Sequence, residues 1–451
     1  MNKNNLNRIR FFKGVGLSCV AGTFVFGPAA TAQLQAQVSR QRSTSGEAAA
    51  ESILRGQTET KAGHFLTWEK WNFGIRPRID VEYNSNVRRS SASVVKSGSE
   101  DDIILRPEVK FDVYRAISDF NSIDFTLGIG TDLYTKNTDI NTYAPIISPD
   151  SEFAYHMFVG ETHIKLREAF SYQEDINTTY TMQSGGQFAD IEAVRFGRYD
   201  NKLGGEIDWD TGAFLFTGSF DWQWFHSNSS RYEYMDRNSG LFTQSATYFI
   251  TPNIQTGLEF NDPVHFFSKH GKSNSINDQF RLDVGPFFAM KAGPRLKFRV
   301  GGGYNYATFF ANDNDPVTED INDWYAYGQA SYLFTPWLDN TLSVRRDNRL
   351  SWNSDNQELI SIQDSIRFSY IRDFAIDIYG SVNFYKETGI QYLKRNTENS
   401  SYYAGGIRIA YTFLEKWEPS LRYTYYSYAR DNAAYNDYDV HQVTLGVQYT
   451  F

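Results

Sequence analysis

Val443-Thr444-Leu445-Gly446-Val447-Gln448-Tyr449-Thr450-Phe451 alternates without a break: five apolar or aromatic residues at odd positions, four polar or small ones between them. Successive side chains of a β-strand point to opposite faces, so this period of two describes a strand with one apolar and one wet face. Working back along the chain, Phe73, Ile75, Ile79, Val81 and Tyr83 alternate with Arg76, Arg78, Asp80 and Glu82. Ile103, Leu105, Val109, Phe111 and Val113 alternate in the same way with Arg106, Glu108, Lys110 and Asp112. A row of charges on one face is prohibitive against hydrocarbon, so the charged rows must be wet. The pattern recurs through Phe214–Trp222, Ile254–Phe260, Leu296–Val300, Ile366–Tyr370, Phe374–Phe384 and Ile407–Phe413.

Composition points the same way. Aromatic residues make up 16% of the 451, with 30 Tyr and 35 Phe. The mean hydropathy is nevertheless polar, at -0.50. A helical membrane protein needs spans of about twenty consecutive apolar residues, and the sequence contains no such run. A transmembrane barrel needs only alternate residues to be apolar. The connections also alternate in length. Asp210-Thr211-Gly212, Thr251-Pro252-Asn253, Ala292-Gly293-Pro294 and Thr335-Pro336-Trp337 are tight turns beside aromatics. Between them fall longer polar stretches at 84–102, 136–150, 174–191, 311–321 and 386–400. The expected fold is all-β: a transmembrane antiparallel up-and-down β-barrel of about eighteen strands, or about sixteen if the hairpin within 151–198 is misread. In that hairpin Phe153, Tyr155, Met157 and Val159 hand over to Ile164 and Leu166 around Glu161-Thr162.

Residues 1–32 have the layout of a secretory signal peptide: Lys3, Arg8, Arg10 and Lys13, an apolar stretch to Phe26, then Ala30-Thr31-Ala32. Residues 33–65 are polar and without alternation, which predicts a periplasmic extension, and 66–451 the barrel. The final strand, with Tyr449 two positions before Phe451, resembles the sorting signal that the barrel-assembly machinery reads. That machinery, outer-membrane lipid and lipopolysaccharide are the expected partners, in a Gram-negative outer membrane with both termini in the periplasm. The only cysteine, Cys19, lies in the leader, so the mature chain would have no disulfide. A net charge of -9 offers no basic patch for nucleic acid.

The first hairpin carries a resemblance. Arg78-Ile79-Asp80-Val81-Glu82-Tyr83-Asn84-Ser85-Asn86-Val87, a Ser-rich loop, then Asp101-Asp102-Ile103-Ile104-Leu105-Arg106-Pro107-Glu108 resembles the outer-membrane porin family called beta-barrel porin 2. The resemblance implies a barrel over most of the chain, a connection with exopolysaccharide export or surface assembly, and no catalytic motif.

No cofactor, metal or catalytic residue is expected. The seven histidines form no His-Glu-x-x-His pattern, and no phosphate loop or Gly-x-Ser-x-Gly elbow occurs. What remains is a charged inner face. Arg76, Arg78, Arg106, Glu108, Lys110, Arg281, Arg299, Arg345, Asp377 and Arg408 are the candidate lumen and selectivity residues. In a channel such rows focus the field and tune solute choice; otherwise they neutralise one another and fill the lumen. Arg76, Arg78 and Arg106 are expected to form a positive strip facing acids elsewhere. Tyr379, Tyr385, Tyr426 and Tyr428 are inward too, as a sugar track or ordinary girdle tyrosines. The leading expectation is a porin-like channel for small hydrophilic solutes. Its rivals are a closed-lumen structural or partner-binding component of polysaccharide export and, more distantly, an outer-membrane enzyme.

Overall fold

A computed structural model describes residues 66–450 apart from 69–70, 88–100, 119, 143–144, 175–196, 229, 231–232, 268–275, 311–317, 351–353, 372, 391–394, 415 and 431–436. The leader and extension expected over 1–65, and Phe451, lie outside the described residues. The strands run β1 (Leu66–Trp68), β2 (Trp71–Asn84), β3 (Asp102–Ala116), β4 (Asn121–Gly130), β5 (Leu133–Tyr134), β6 (Ile146–Ile147), β7 (Glu152–Val159) and β8 (Thr162–Gln173). They continue with β9 (Arg198–Asp210), β10 (Phe214–Ser227), β11 (Arg237–Thr251), β12 (Ile254–Asn261), β13 (Val264–Phe267), β14 (Asp278–Ala292) and β15 (Leu296–Phe310). The last are β16 (Ile321–Thr335), β17 (Leu338–Arg349), β18 (Asn356–Phe368), β19 (Phe374–Ile390), β20 (Arg395–Tyr411), β21 (Trp417–Arg430) and β22 (Tyr438–Tyr449).

Each long strand pairs antiparallel with its sequence neighbours. Four short segments are not staves of their own. β1 folds back on β2, and β5 continues the pairing of β4 on β3. β6 extends β7 between β4 and β8, and β13 extends β12 between β11 and β14. Eighteen strands remain. The ring closes where β22 meets β2, with Val447 opposite Ile79 and Leu445 opposite Val81. The strand whose alternation is clearest is therefore the one that seals the sheet, removing the open edges that a membrane does not tolerate.

The doubtful hairpin within 151–198 is two full strands, which favours eighteen over sixteen. Its turn is one residue earlier than expected: Val159 pairs with Thr162 around Gly160-Glu161. Gly160 has φ 57°, the positive value that a two-residue hairpin turn of primed type needs. The polar stretch 386–400 is not a long loop. β19 and β20 continue through it, pairing Lys386 with Asn399 and Thr388 with Thr397. Polarity there marks strand in water rather than absence of strand.

The two faces separate as the alternation requires. Ile79, Val81, Leu203, Ile207, Val300, Leu342, Ile362, Ile378 and Leu445 are exposed on the outside. Glu82, Asp200, Asp221, Arg281, Arg299, Asp377 and Arg408 are buried on the inside. Short connections gather at one end and long ones at the other. The short-turn end carries outward aromatic pairs: Trp209 with Phe216 at 5.4 Å, Phe214 with Tyr248 at 4.9 Å, Trp337 with Phe368 at 5.2 Å and Trp417 with Tyr449 at 4.6 Å between centroids. This is the girdle of a membrane barrel.

Glycines keep inward aromatics flat on the wall. Tyr327 lies over Gly301, its partner in register, where a Cβ would come within 2.5 Å of the ring. Tyr379 covers Gly406 in the same way.

Candidate functional site

The candidate residues all sit on the inner wall, and most of them come in pairs of opposite charge. Arg76 on β2 donates from Nε and Nη2 to both oxygens of Asp112 on β3, at 2.8 and 2.9 Å. Such a two-point pair is directional as well as strong. Arg78 reaches Asp80 at 2.9 Å and stands directly across from Glu108. Arg106 donates to Glu82 and, at 3.1 Å, to Asp132. The acids thus interleave with the arginines on the same strands. The expected positive strip with its counter-charge elsewhere is not what forms, because adjacent strands bring the opposite signs into register.

The far wall follows the same rule. Arg299 donates to Glu259 at 3.0 Å and to the Tyr327 hydroxyl at 3.1 Å, with its guanidinium 4.0 Å above the Phe287 ring. Arg345 pairs with Asp347. Arg408 lies 3.5 Å from Asp377 and 2.8 Å from Glu418, and Arg367 lies 3.8 Å from Asp377. Arg281 binds amide and carbonyl groups instead: Gln279 at 2.6 Å, Asn356 at 3.0 Å and the Asp355 carbonyl at 2.8 Å. Tyr449 faces outward against Trp417, in the girdle.

Two loop anchorages escaped the sequence. The first joins the connection between β4 and β7 to the inner face of β3. Asp102 accepts from the backbone N–H of Thr135, Lys136 and Asn137 at 3.0, 3.0 and 2.7 Å, and from the side chains of Thr135 and Asn137. Asp132 holds Arg106, and Asp150 holds Lys110 at 2.8 Å. Val87, Ile104, Tyr134 and Ile140 pack together beneath. Since Ile104, Arg106 and Lys110 point inward, this loop lies against the wall inside the mouth. Arg106 and Lys110 are thereby loop anchors. Nothing in the spacing of Asp102, Asp132 and Asp150 announces this, because their partners are backbone amides and bases on other strands.

The second anchorage is Asp355. Its carboxylate accepts from the backbone N–H and side chain of Asn277, at 2.8 and 2.9 Å, and from the Thr318 hydroxyl. It ties together the three loops that precede β14, β16 and β18. Burial pushes this carboxyl above the usual carboxylate range, against the opposing pull of those hydrogen bonds and of Arg281.

The inward tyrosines come together near the long-loop end. Tyr385, Tyr426 and Tyr428 join Tyr402 and Tyr438 in one buried cluster. Tyr428 stacks on Tyr438 at 5.3 Å and Tyr402 leans on Tyr426 at 5.8 Å. Their faces cover one another, so they do not present the open rings that a sugar track requires. Tyr379 instead hydrogen-bonds the Thr424 hydroxyl at 2.8 Å. Among the described residues no group of three or more His, Cys, Asp or Glu is placed to hold a metal ion.

Residues 286–451 match the family model described as outer membrane protein beta-barrel domain. No curated protein matches the chain. Among solved structures, a BenF-like porin from Pseudomonas fluorescens Pf-5 superposes with a TM-score of 0.50 at 10% identity, covering 85% of this chain and 99% of that one. The outer membrane protein opdK from Pseudomonas aeruginosa gives a TM-score of 0.47 at 11% identity, over 84% of this chain and 98% of that one. At such identity the likeness concerns fold. The chain is, in fold, an outer-membrane β-barrel: a closed antiparallel ring of eighteen strands, built as porins are.

Proposed function

We propose that the protein is a passive channel for small hydrophilic solutes, with its short-turn end and both termini in the periplasm. The observation that carries this reading is the inner wall: a closed ring of this size whose inward side chains are charged and polar, narrowed by the loop pinned through Asp102, Arg106 and Lys110. Barrels of sixteen to eighteen strands leave room for an aqueous path. A loop held against the wall leaves that path open while restricting what passes. The girdle would sit among outer-membrane lipid, with lipopolysaccharide around the long-loop end and the barrel-assembly machinery as the route of insertion. The test is conductance of the purified protein in planar bilayers. Discrete, ohmic single-channel steps are expected. Their absence from correctly folded, heat-modifiable protein would remove the reading and return attention to a closed-lumen component of polysaccharide export.

A further inference from the structure

Two polar side chains stand in the apolar belt on the outer face. Glu168 on β8 is exposed between Leu166 and Phe170, with Phe153 and Leu203 opposite it on the neighbouring strands. Gln244 on β11 is exposed between Phe242 and Ala246, with Gly218 and Phe260 opposite it. They share a depth. Glu168 lies six residues from Thr162 and Gln244 seven from Thr251, the residues that end these strands at the short turns. At about 3.3 Å per residue and a tilt of about 40°, both stand about 15–18 Å above the turns, well inside a band about 25 Å tall.

Each has room for a partner of the opposite kind. Glu168 accepts one hydrogen bond, from Asn201 Nδ2 to Oε1 at 3.1 Å. A carboxylate can accept several more and donates none. Among the described residues no hydrogen bond reaches the Gln244 carboxamide, which brings two N–H donors and an acceptor. In hydrocarbon no water fills these places, and polar groups turned to lipid are costly. A donor and an acceptor at one depth complete each other when a second copy of the chain lies alongside.

Their spacing around the ring decides how copies associate. β8, β9, β10 and β11 are consecutive neighbours, so the two sites are three strands apart. Eighteen strands share the full turn at about 20° each, which places the sites about 60° apart. A contact between unlike patches runs head to tail and makes a ring when the rotation closes. Contact directions about 60° apart are those of an equilateral triangle, so three copies close. Asp364, a further outward carboxylate, is on β18, six strands from β11 and about 120° away, where three copies do not close. The ground beside Gln244 is open, since a Cβ on Gly218, directly across, would meet nothing within 4 Å. Between the two sites β9 and β10 expose Leu203, Ile207, Phe216 and Phe220, a face that meets its own copies at the axis.

We propose that Glu168 of one copy accepts a hydrogen bond from Gln244 of the next, closing three copies of the chain into a ring with β9 and β10 toward its axis. The surface follows from the barrel alone and does not depend on the channel reading. Replacing Phe242 by the photoreactive p-benzoylphenylalanine sets a lipid-compatible cross-linker beside Gln244 and leaves both polar groups in place. Irradiated in native outer-membrane fragments, this protein should give covalent products of two and three copies and nothing larger, with the adduct mapping to β8 or β9. Monomer alone, a ladder beyond three, or an adduct on β18 around Asp364 would overturn the ring. The wild type gives a second reading without any substitution: it should sediment as three copies in a mild, non-denaturing detergent, and a monomer there would count against the proposal. E168L and Q244L should each raise the dissociation constant of the ring about fivefold or more while the barrel keeps its heat-modifiable mobility. E168Q/Q244E, which exchanges donor and acceptor, should restore association. Leucine variants that assemble like the wild type would overturn the assignment of these two residues.

Discussion

Asp377 lies between two isoleucines and yet meets no lipid. Ile378 is 48% exposed and Asp377 4%. Across the neighbouring strands Ile378 is aligned with Ile366 and Ile407, and Asp377 with Arg367 and Arg408. A slip of β19 by one residue would therefore turn Asp377 outward, away from both arginines, and Ile378 inward, which is why the register is so strongly specified. Arginine at Ile378 should destabilise the barrel by about 2–4 kcal/mol if the site is near the bilayer midplane. Equilibrium unfolding in lipid vesicles reads this, and an unchanged unfolding free energy would mean that residue 378 faces water. Some outward carboxylates depart from the pattern, and two of them have an amide donor on the next strand. Glu168 accepts from Asn201 at 3.1 Å, and Asp364 from Asn340 at 2.5 Å.

Between strand and loop, the decisive contacts are carboxylates that gather backbone amides. Asp102 caps one turn of the loop between β4 and β7, and hydrogen bonds to a charged acceptor contribute about 1.5–3 kcal/mol each, less when several share it. Asp102→Ala should release this loop while leaving the ring closed, raising the rate of protease cleavage within 136–145 about tenfold or more. Cleavage at the wild-type rate would show that the loop is held by other contacts. Asp355 adds a pH dependence. Its folded-state carboxyl titrates above the ordinary 3.8, so the folded junction binds a proton more readily than the opened one. Stability of the junction is therefore gained as pH falls through the raised value and is least above it. Exchange of the Asn277 amide, corrected for its intrinsic rise with pH, should be faster above that raised value than below it. In Asp355→Asn that dependence should vanish; a wild type without it would place the carboxyl in water. These anchors mark where the sequence stops being legible. Strand faces and the tight turns at Pro252, Pro294 and Pro336 follow from local chemistry, since alternation and turn residues act within a few positions. The anchors join residues 26 or more apart, such as Arg106 with Asp132 and Asp102 with Asn137, and no local pattern records such a meeting.

At the scale of the whole ring, closure and charge are one problem. Most of the long strands carry charge inward, and only a closed sheet keeps those charges from lipid while bringing opposite signs together across strand boundaries. The result is a wall of near-neutral pairs, which predicts weak ion selectivity from the wall itself and strong selectivity once a pair is broken. Arg78 and Arg106 are the sharpest case, since they face Asp80, Glu82 and Asp132. Replacing both with Gln leaves these three carboxylates without those guanidinium partners inside the mouth. Reversal potentials across a salt gradient should then move toward cations, with the permeability ratio rising about two- to fourfold near 0.1 M salt. There the screening length is about 10 Å; near 1 M it is about 3 Å, and most of the shift should disappear. Neutralising the acids as well, through Asp80→Asn, Glu82→Gln and Asp132→Asn in the same protein, should bring the ratio back toward the wild type. That recovery separates loss of charge balance from loosening of the loop that Arg106 anchors, because the loop contact stays broken in both variants. A conducting double variant whose selectivity matches the wild type at low salt would mean that the permeating ion does not pass this stretch of wall, and the narrowest part of the path would have to be sought beside β14–β18 instead.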